Sequence, residues 1–180
     1  MVLRLFRRPN AATIDALYGA IVAQARSPIF YAELGVPDTV EGRFDMVVLH
    51  LMLVLRRLLR EPQGEGAAPA LAQGLFDAFC RDMDHNLREM GVGDLSVPKE
   101  MKRLAEAFYG RQRAYDEALA SDDPAELAQA LQRNVFSGLG PHAERLASYA
   151  RRTAAQLDAS DAAALGRLAF LDADAILAIA

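Results

Sequence analysis

Apolar residues recur along this chain at intervals of three and four, the spacing of one face of an α-helix, and no stretch shows the alternation of a half-buried strand. The strongest run is Thr39 to Arg60. Phe44, Val47, Val48, Leu51, Met52, Leu55, Leu58 and Leu59 keep the helical period there, and Met46, Leu49, Leu53 and Val54 widen the stripe to most of the circumference. A helix apolar nearly all round is stable only when neighbours surround it, so this one is predicted at the centre of the fold. Its basic end, Arg56, Arg57 and Arg60, complements the negative pole of the helix dipole. An earlier stripe, Ile14, Leu17, Tyr18, Ile21 and Val22, is capped by Asn10 or Thr13. Between Pro28 and Pro37 the triplet Ile29, Phe30 and Tyr31 predicts a short helical piece packed on the core, and Glu61 to Pro69 reads as a linker rich in Pro and Gly.

From Leu75 to Arg113 the pattern is helix, break, helix. Leu75, Phe79, Met83, Leu87 and Met90 form one stripe; Met101, Leu104, Ala105, Phe108, Tyr115 and Leu119 form the next. Gly91 and Gly93 supply the left-handed backbone that a helix needs to stop and reverse, Ser96 is the expected N-cap of the second helix, and Pro98 sits where a missing N–H costs nothing. Beyond this hairpin Ser121 to Pro124 signals another helix start, with Leu127, Ala130, Leu131 and Val135 inward and Gly138 to Pro141 closing it. His142 to Asp158 follows with Leu146, Tyr149, Ala150 and Leu157 inward. Ser160 is read as the cap of a further helix carrying Leu165, Leu168 and Leu171, and the apolar tail Ile176 to Ile179 either docks or waits for a partner. The predicted fold is all-α, an irregular bundle of six or seven helices forming a single domain over residues 11–180 behind a basic N-terminal arm, residues 1–10.

Composition changes this picture little. A chain of 180 residues with 52% hydrophobic and 24% charged residues buries a real core and is not disordered. A net charge of -4 gives no general attraction to nucleic acid, and no DNA partner is expected. The hairpin is polarised: five acids against two arginines from Leu75 to Asp94, then five bases against two acids from Leu95 to Arg113. The single cysteine, Cys80, has no partner for an internal disulfide and is read as an inert core residue. The longest apolar run, Met46 to Leu55, is too short for a bilayer, and Met1 to Arg8 lacks the apolar core of a secretory signal. A cytoplasmic protein is the expectation. The arm's Arg4, Arg7 and Arg8 are either a frayed terminus or a contact for anionic lipid or ribosomal RNA.

Candidate chemistry is thin. Asp82, His85 and Glu89 share a helical face but lack the second Asp or His set that di-metal bundles use. Asp82, Asp84 and Asp94 have no facing acidic cluster, since Asp122 and Asp123 sit at a helix start. His50, inside the most apolar helix, is read as a hydrogen-bonded core residue, and no nucleophile stands on a strained turn beside a base. The reading is therefore no enzyme, with no catalytic residue, metal or cofactor. Asp82, Asp84, Arg88, Glu89, Lys99, Lys102 and Arg111 nevertheless crowd one connection together with Gly91, Gly93 and Gly110. That crowding is either folding glue between two helices or a partner surface. Helical spacing sends Phe108 inward and Tyr109 outward, and an exposed Tyr beside Arg is typical of interfaces.

Asp82-Met83-Asp84, Leu87 to Asp94, Val97 to Lys102 and Phe108-Tyr109-Gly110-Arg111, in that order, resemble the signature of the ubiquinol-cytochrome c chaperone family. The likeness is close over Phe76 to Tyr115 and fair back to Phe44. It implies a non-enzymatic assembly factor for the ubiquinol-cytochrome c reductase complex that binds newly made cytochrome b, with the ribosome exit region, a small partner subunit and peripheral contact with the cytoplasmic face of the inner membrane as further partners. Taking the crowded connection as a partner surface, the expected partner-binding residues are Asp82, Asp84, Arg88, Glu89, Gly91, Gly93, Asp94, Pro98, Lys99, Lys102, Phe108, Tyr109, Gly110 and Arg111. A cleft of Phe, Met, Leu and Tyr rimmed by charge would cover an apolar client before it inserts. The rival readings are a ribosome- or membrane-surface adaptor using the basic hairpin face, and an all-α hydrolase.

Overall fold

The computed structural model describes residues 11–60, 68–138, 142–160, 170–172, 175, 176 and 178. The basic arm, residues 61–67 of the expected linker and the helix expected around Leu165 and Leu168 lie outside the described residues. Among those described, the chain folds as seven helices: α1 (Ala11–Ala25), α2 (Pro28–Ala32), α3 (Val40–Leu59), α4 (Ala68–Glu89), α5 (Val97–Ala120), α6 (Pro124–Asn134) and α7 (Ala143–Ala159). The architecture is all-α, as the periodicities predict.

The predicted central helix is central. Every residue of α3 from Asp45 to Leu55 is buried, with α1, α4 and α7 packed around it and α5 touching it more lightly. A buried aliphatic side chain contributes roughly 1.5–3 kcal/mol, so hydrophobic stabilisation concentrates on this element. Its start is fixed locally. Thr39 Oγ1 accepts a hydrogen bond from the Gly42 N–H at 3.1 Å, and a Cβ on residue 42 would stand 2.0 Å from the Pro37 carbonyl oxygen. Only glycine lets that carbonyl close over the first turn. Ile29 and Phe30 are buried in α2, and Asp123 caps α6 by accepting from the Ala125 N–H at 2.9 Å.

Three local expectations change. Ala68 and Pro69, read as linker, form the first turn of α4, where proline is tolerated. Gly91 adopts the left-handed backbone at φ 83°, but Gly93 does not. Ser96 precedes α5 without a side-chain cap, because its backbone is already helical at φ -95° and ψ -23°.

One polar group lies at the heart of the bundle. His50 is fully buried on α3, with Nδ1 2.7 Å from the Met46 carbonyl and Nε2 2.7 Å from the Tyr149 hydroxyl of α7. A carbonyl only accepts, so Nδ1 carries the proton and Nε2 accepts from Tyr149. Gln24 of α1 donates both to the Tyr149 hydroxyl at 3.2 Å and to the Leu171 carbonyl at 3.0 Å. Burial pushes the His50 pKa down to about 4, so the ring is neutral. Phe30 and Phe170 meet it edge-on, and the Tyr149 ring lies tilted against it. The tail docks rather than waits at one point: Ile176 is buried against the body.

Candidate functional site

The α4–α5 hairpin stops and restarts as its glycines and proline dictate. The Val92 N–H reaches the Leu87 carbonyl at 3.0 Å and the Gly91 N–H reaches that of Arg88 at 3.0 Å, the paired bonds by which a left-handed glycine closes a helix. The hairpin's apolar stripes fade towards this turn. Leu75, Phe79, Met83 and Leu87 of α4 are buried, but Met90, placed in the same stripe by its spacing, is 56% exposed. On α5 only Val97, Phe108, Tyr115 and Ala118 are buried, while Met101, Leu104, Ala105 and Leu119 are half-covered. Leu95 stands at 99% exposure at the tip. Periodicity reports which face is apolar. It does not report where the body ends beneath it.

The charged residues divide into three groups. Arg88 donates from Nε to Asp84 Oδ2 at 2.8 Å and from Nη1 to Asp94, bridging the turn on the surface. His85 lies 3.1 Å from Glu89, Arg103 3.0 Å from a half-buried Glu100, and Lys102 3.9 Å from Glu106, the other five side chains being exposed. Lys99 forms no ion pair with a described residue. Asp82 is turned away from the tip: it accepts from the Tyr18 hydroxyl of α1 at 2.8 Å and from Asn86 at 3.2 Å. Burial, aided by the facing Asp82, pushes the Tyr18 pKa well above its ordinary value, so the phenol stays a donor. Asp82, His85 and Glu89 therefore do not converge, and among the described residues no cluster of His, Cys, Asp or Glu is arranged to hold a metal.

Phe108 points inward and Tyr109 outward at 55% exposure, as the helical spacing predicts. Phe76 bridges them, 5.2 Å from the Phe108 ring and 5.9 Å from Tyr109, and the rings continue through Phe79 to Phe44 of α3 at 6.2 Å. Arg111 leaves the surface set. Its guanidinium lies 5.6 Å over the Phe44 ring, and its Nη2 contacts Asp45 Oδ1 of α3 at 2.7 Å. Gly110 is open to solvent, with nothing near a Cβ built there, and Pro98 and Gly93 are exposed at the turn.

Asp45 is the functional candidate that sequence reasoning passed over. The signal was an acid inside the most apolar helix, between Phe44 and Met46. Its carboxyl is 3% exposed, and burial raises its pKa to about 6 despite the attraction of Arg111. The pair is also poorly furnished: Asp45 Oδ1, Arg111 Nε and the Tyr115 hydroxyl are buried with no hydrogen-bond partner of good geometry among the described residues. Cys80, read as core, is half-buried, and burial pushes its thiol up. A shallow groove of about 300 Å³ runs between α6 and α7, floored by Ala125, Ala128 and Ala147 with Arg151 at one side. Arg151 is occupied there, donating to the carbonyls of Ala118 and Asp123 at 3.0 Å each.

The model of the family described as ubiquinol-cytochrome C chaperone matches residues 32–171. The ubiquinol-cytochrome c reductase complex assembly factor 1 of Drosophila melanogaster is 29% identical over 151 residues, 81% of this chain and 58% of that protein. Its counterpart in Xenopus laevis is 27% identical over 121 residues, 67% of this chain and 58% of that one. The chain thus spans little more than half the length of these curated relatives. The crystal structure of the Cbp3 homolog from Brucella abortus superposes with a TM-score of 0.82 at 44% identity, covering 92% of each chain.

Proposed function

The chain belongs to the ubiquinol-cytochrome C chaperone family, and we propose on that premise that it acts as a non-enzymatic assembly chaperone for the ubiquinol-cytochrome c reductase complex, docking newly made cytochrome b on the α4–α5 hairpin. The observation that carries the docking part is that three of the five large apolar residues exposed among the described residues, Leu95, Met90 and Tyr109, fall on the hairpin beside half-covered Phe76, Met101 and Leu104, whereas Val40 and Leu59 stand singly at the two ends of α3. A membrane segment not yet inserted offers apolar side chains to water, and covering them on an apolar face relieves that exposure. Met90 and Met101 adapt to side chains of varied shape. Exposed charges at the rim keep the free chaperone soluble and orient the client.

The adaptor reading is weaker. From Asp84 to Glu106 four bases face five acids, most of them paired locally, so the tip is not a cationic surface for phosphate groups. Among the described residues no helix is long and apolar enough to cross a membrane, which fits a client that brings the membrane segment. The test is co-purification of cytochrome b from native membranes, together with deletion of the gene. Cytochrome b is expected on the wild-type protein, and assembled reductase is expected to fall in the deletion strain. Normal reductase assembly without this chain would overturn the reading, and binding that collapses between low and moderate salt yet survives Leu95→Ser would favour the adaptor.

A further inference from the structure

The seam between α3 and α5 differs from every other helix contact of the hairpin in what it buries. α4 meets the body through Leu75, Phe79 and Met83, and its Tyr18–Asp82 contact with α1 is a directed hydrogen bond. α5 meets α3 through two ion pairs, a loose one between Arg56 of α3 and Asp116 of α5 at 3.9 Å near the helix end and a close one at the buried Asp45 carboxylate. Asp45 faces Arg111 and the Tyr115 hydroxyl from α5, and Glu41 from its own helix; Arg133 and Asn134 of α6 act on Tyr115 behind it. One guanidinium contact at 2.7 Å is the ion pair that compensates a charge taken out of water. Beside that contact the Arg111 Nε is buried without a well-formed hydrogen bond to a described residue, so the pair is thinly furnished on the guanidinium side as well. Directly beside them lies the aromatic series Phe44, Phe79, Phe108 and Phe76, closed at its inner end and open at Tyr109.

We propose that the α3–α5 seam is a joint held shut against an under-compensated Asp45 carboxylate, and that its opening lengthens the docking face by adding Phe44, Phe79 and Phe108 to Phe76 and Tyr109. The proposal rests on the reading of the hairpin as the client's docking face. Its direction follows from the proton balance. In the closed seam Asp45 holds its proton up to about pH 6, whereas in water it releases it near 3.8. Ionisation therefore favours the open seam, and at neutral pH the closed form carries a charge that solvent would receive better. Arg111 does not suffer the same way: a fifth of its side chain reaches solvent, it donates to the Ala107 carbonyl at 3.3 Å, and it rests on the Phe44 ring. A client that wedges the helices apart thus hydrates the carboxylate while covering the aromatic rings.

An ordinary stabilising salt bridge and a stressed joint give opposite signs on one substitution. Asp45→Asn keeps the shape of the protonated carboxyl and removes the charge. Hydrogen–deuterium exchange of the isolated protein at pH 7.5 is then expected to slow by about tenfold in the peptides covering 41–48 and 104–118, with those around Tyr149 unchanged. The shift from 3.8 to about 6 bounds the effect at about a hundredfold. The double variant Asp45→Leu with Arg111→Met, which fills the seam with apolar atoms, is expected to slow the same peptides. Both variants should also capture less cytochrome b from a coupled translation reaction than wild type. Unchanged or faster exchange in both variants would overturn the joint, and slower exchange with undiminished capture would detach it from docking. Failure of wild type to capture cytochrome b at all would instead count against the function proposed above, with the exchange result standing by itself.

Discussion

Two buried polar clusters sit on the same helix, and they are built in opposite ways. At the middle of α3, His50 has both ring nitrogens engaged, its partner Tyr149 is engaged in turn by Gln24, and three rings close the site. Near the start of α3, Asp45 meets Arg111 in one short contact, and the Arg111 Nε beside it is buried without a well-formed hydrogen bond to a described residue. A satisfied network inside low dielectric fixes a single arrangement, because every alternative leaves a group unpaired. An under-satisfied one leaves the alternative arrangement close in energy. The difference assigns α1, α3 and α7 to the rigid frame and α5 to the part that can move.

The largest test of this contrast is His50→Ala. It opens a cavity and strands the Tyr149 hydroxyl, so it is expected to cost about 4 kcal/mol and lower the Tm by roughly 10 °C in a thermal melt. Asp45→Asn at pH 7.5 is expected to leave the Tm unchanged or raised. Equal losses from the two substitutions would erase the distinction between frame and joint.

Next in size is the pH dependence, where the two groups pull in opposite directions. The His50 pKa falls from 6.5 to about 4 on folding, so its stability is present above 6.5 and is lost as pH drops through that window, by about 3 kcal/mol in all. The Asp45 pKa rises from 3.8 to about 6, so the folded state binds that proton first and gains on the order of 2–3 kcal/mol as pH falls through 6 towards 3.8. Urea unfolding at pH 7 and pH 4 separates them. Relative to wild type, His50→Leu is expected to gain about 3 kcal/mol on acidification and Asp45→Asn to lose about 2. The same sign in both variants would refute the opposition.

Much of the frame is legible in the sequence, and the joint is not, for a physical reason. Thr39, Asp123, Gly91 and Pro98 act within a few residues of themselves, so caps and turns are written locally, and the nearly all-apolar α3 forces its own central place. The motif read over Phe76 to Tyr115 was enough to indicate the family, whose match extends over residues 32–171. His50 was recognisable as a core residue, but its partner Tyr149 lies 99 positions away, and Gln24, which engages Tyr149 in turn, lies 125 positions from that tyrosine, separations that only folding closes. Arg111 is the instructive case. Its helical position beside Tyr109 and Gly110 places it on the hairpin's outer set, yet Asp45, 66 positions earlier, draws it across to α3. Met90 fails for the complementary reason: it keeps the period of its helix but stands past the last residue of the body.

Smaller effects belong to the outer face. Tyr109→Ala and Leu95→Ser touch little that the fold needs, so the Tm of each is expected within about 1 °C of wild type. Capture of cytochrome b should weaken by roughly tenfold for Tyr109→Ala, the loss usual for an aromatic anchor, and by somewhat less for Leu95→Ser. A client that binds both variants as well as wild type would move the docking face off the hairpin, with the α6–α7 groove as the next place to look.

The smallest effect is expected at Arg88, the most heavily bonded charge of the turn. It reaches Asp84 twice, at 2.8 and 3.4 Å, and Asp94 across Gly91, and its hydrogen bond holds the Asp84 carboxyl below the usual carboxylate range. The number of contacts would make it a keystone if contacts alone decided. All three side chains are 41% exposed or more, however, so water competes for each bond and salt screens what remains. Arg88→Ala is therefore expected to move the Tm by about 1 °C or less, and that small loss should vanish in 1 M salt, where charges are screened within about 3 Å. Since Asp84 is held below its ordinary value, the little stability it contributes is present at neutral pH and fades on acidification. A drop of several degrees that persists at high salt would mean that the turn is braced into the frame, and the hairpin would then have to be read as rigid from tip to base.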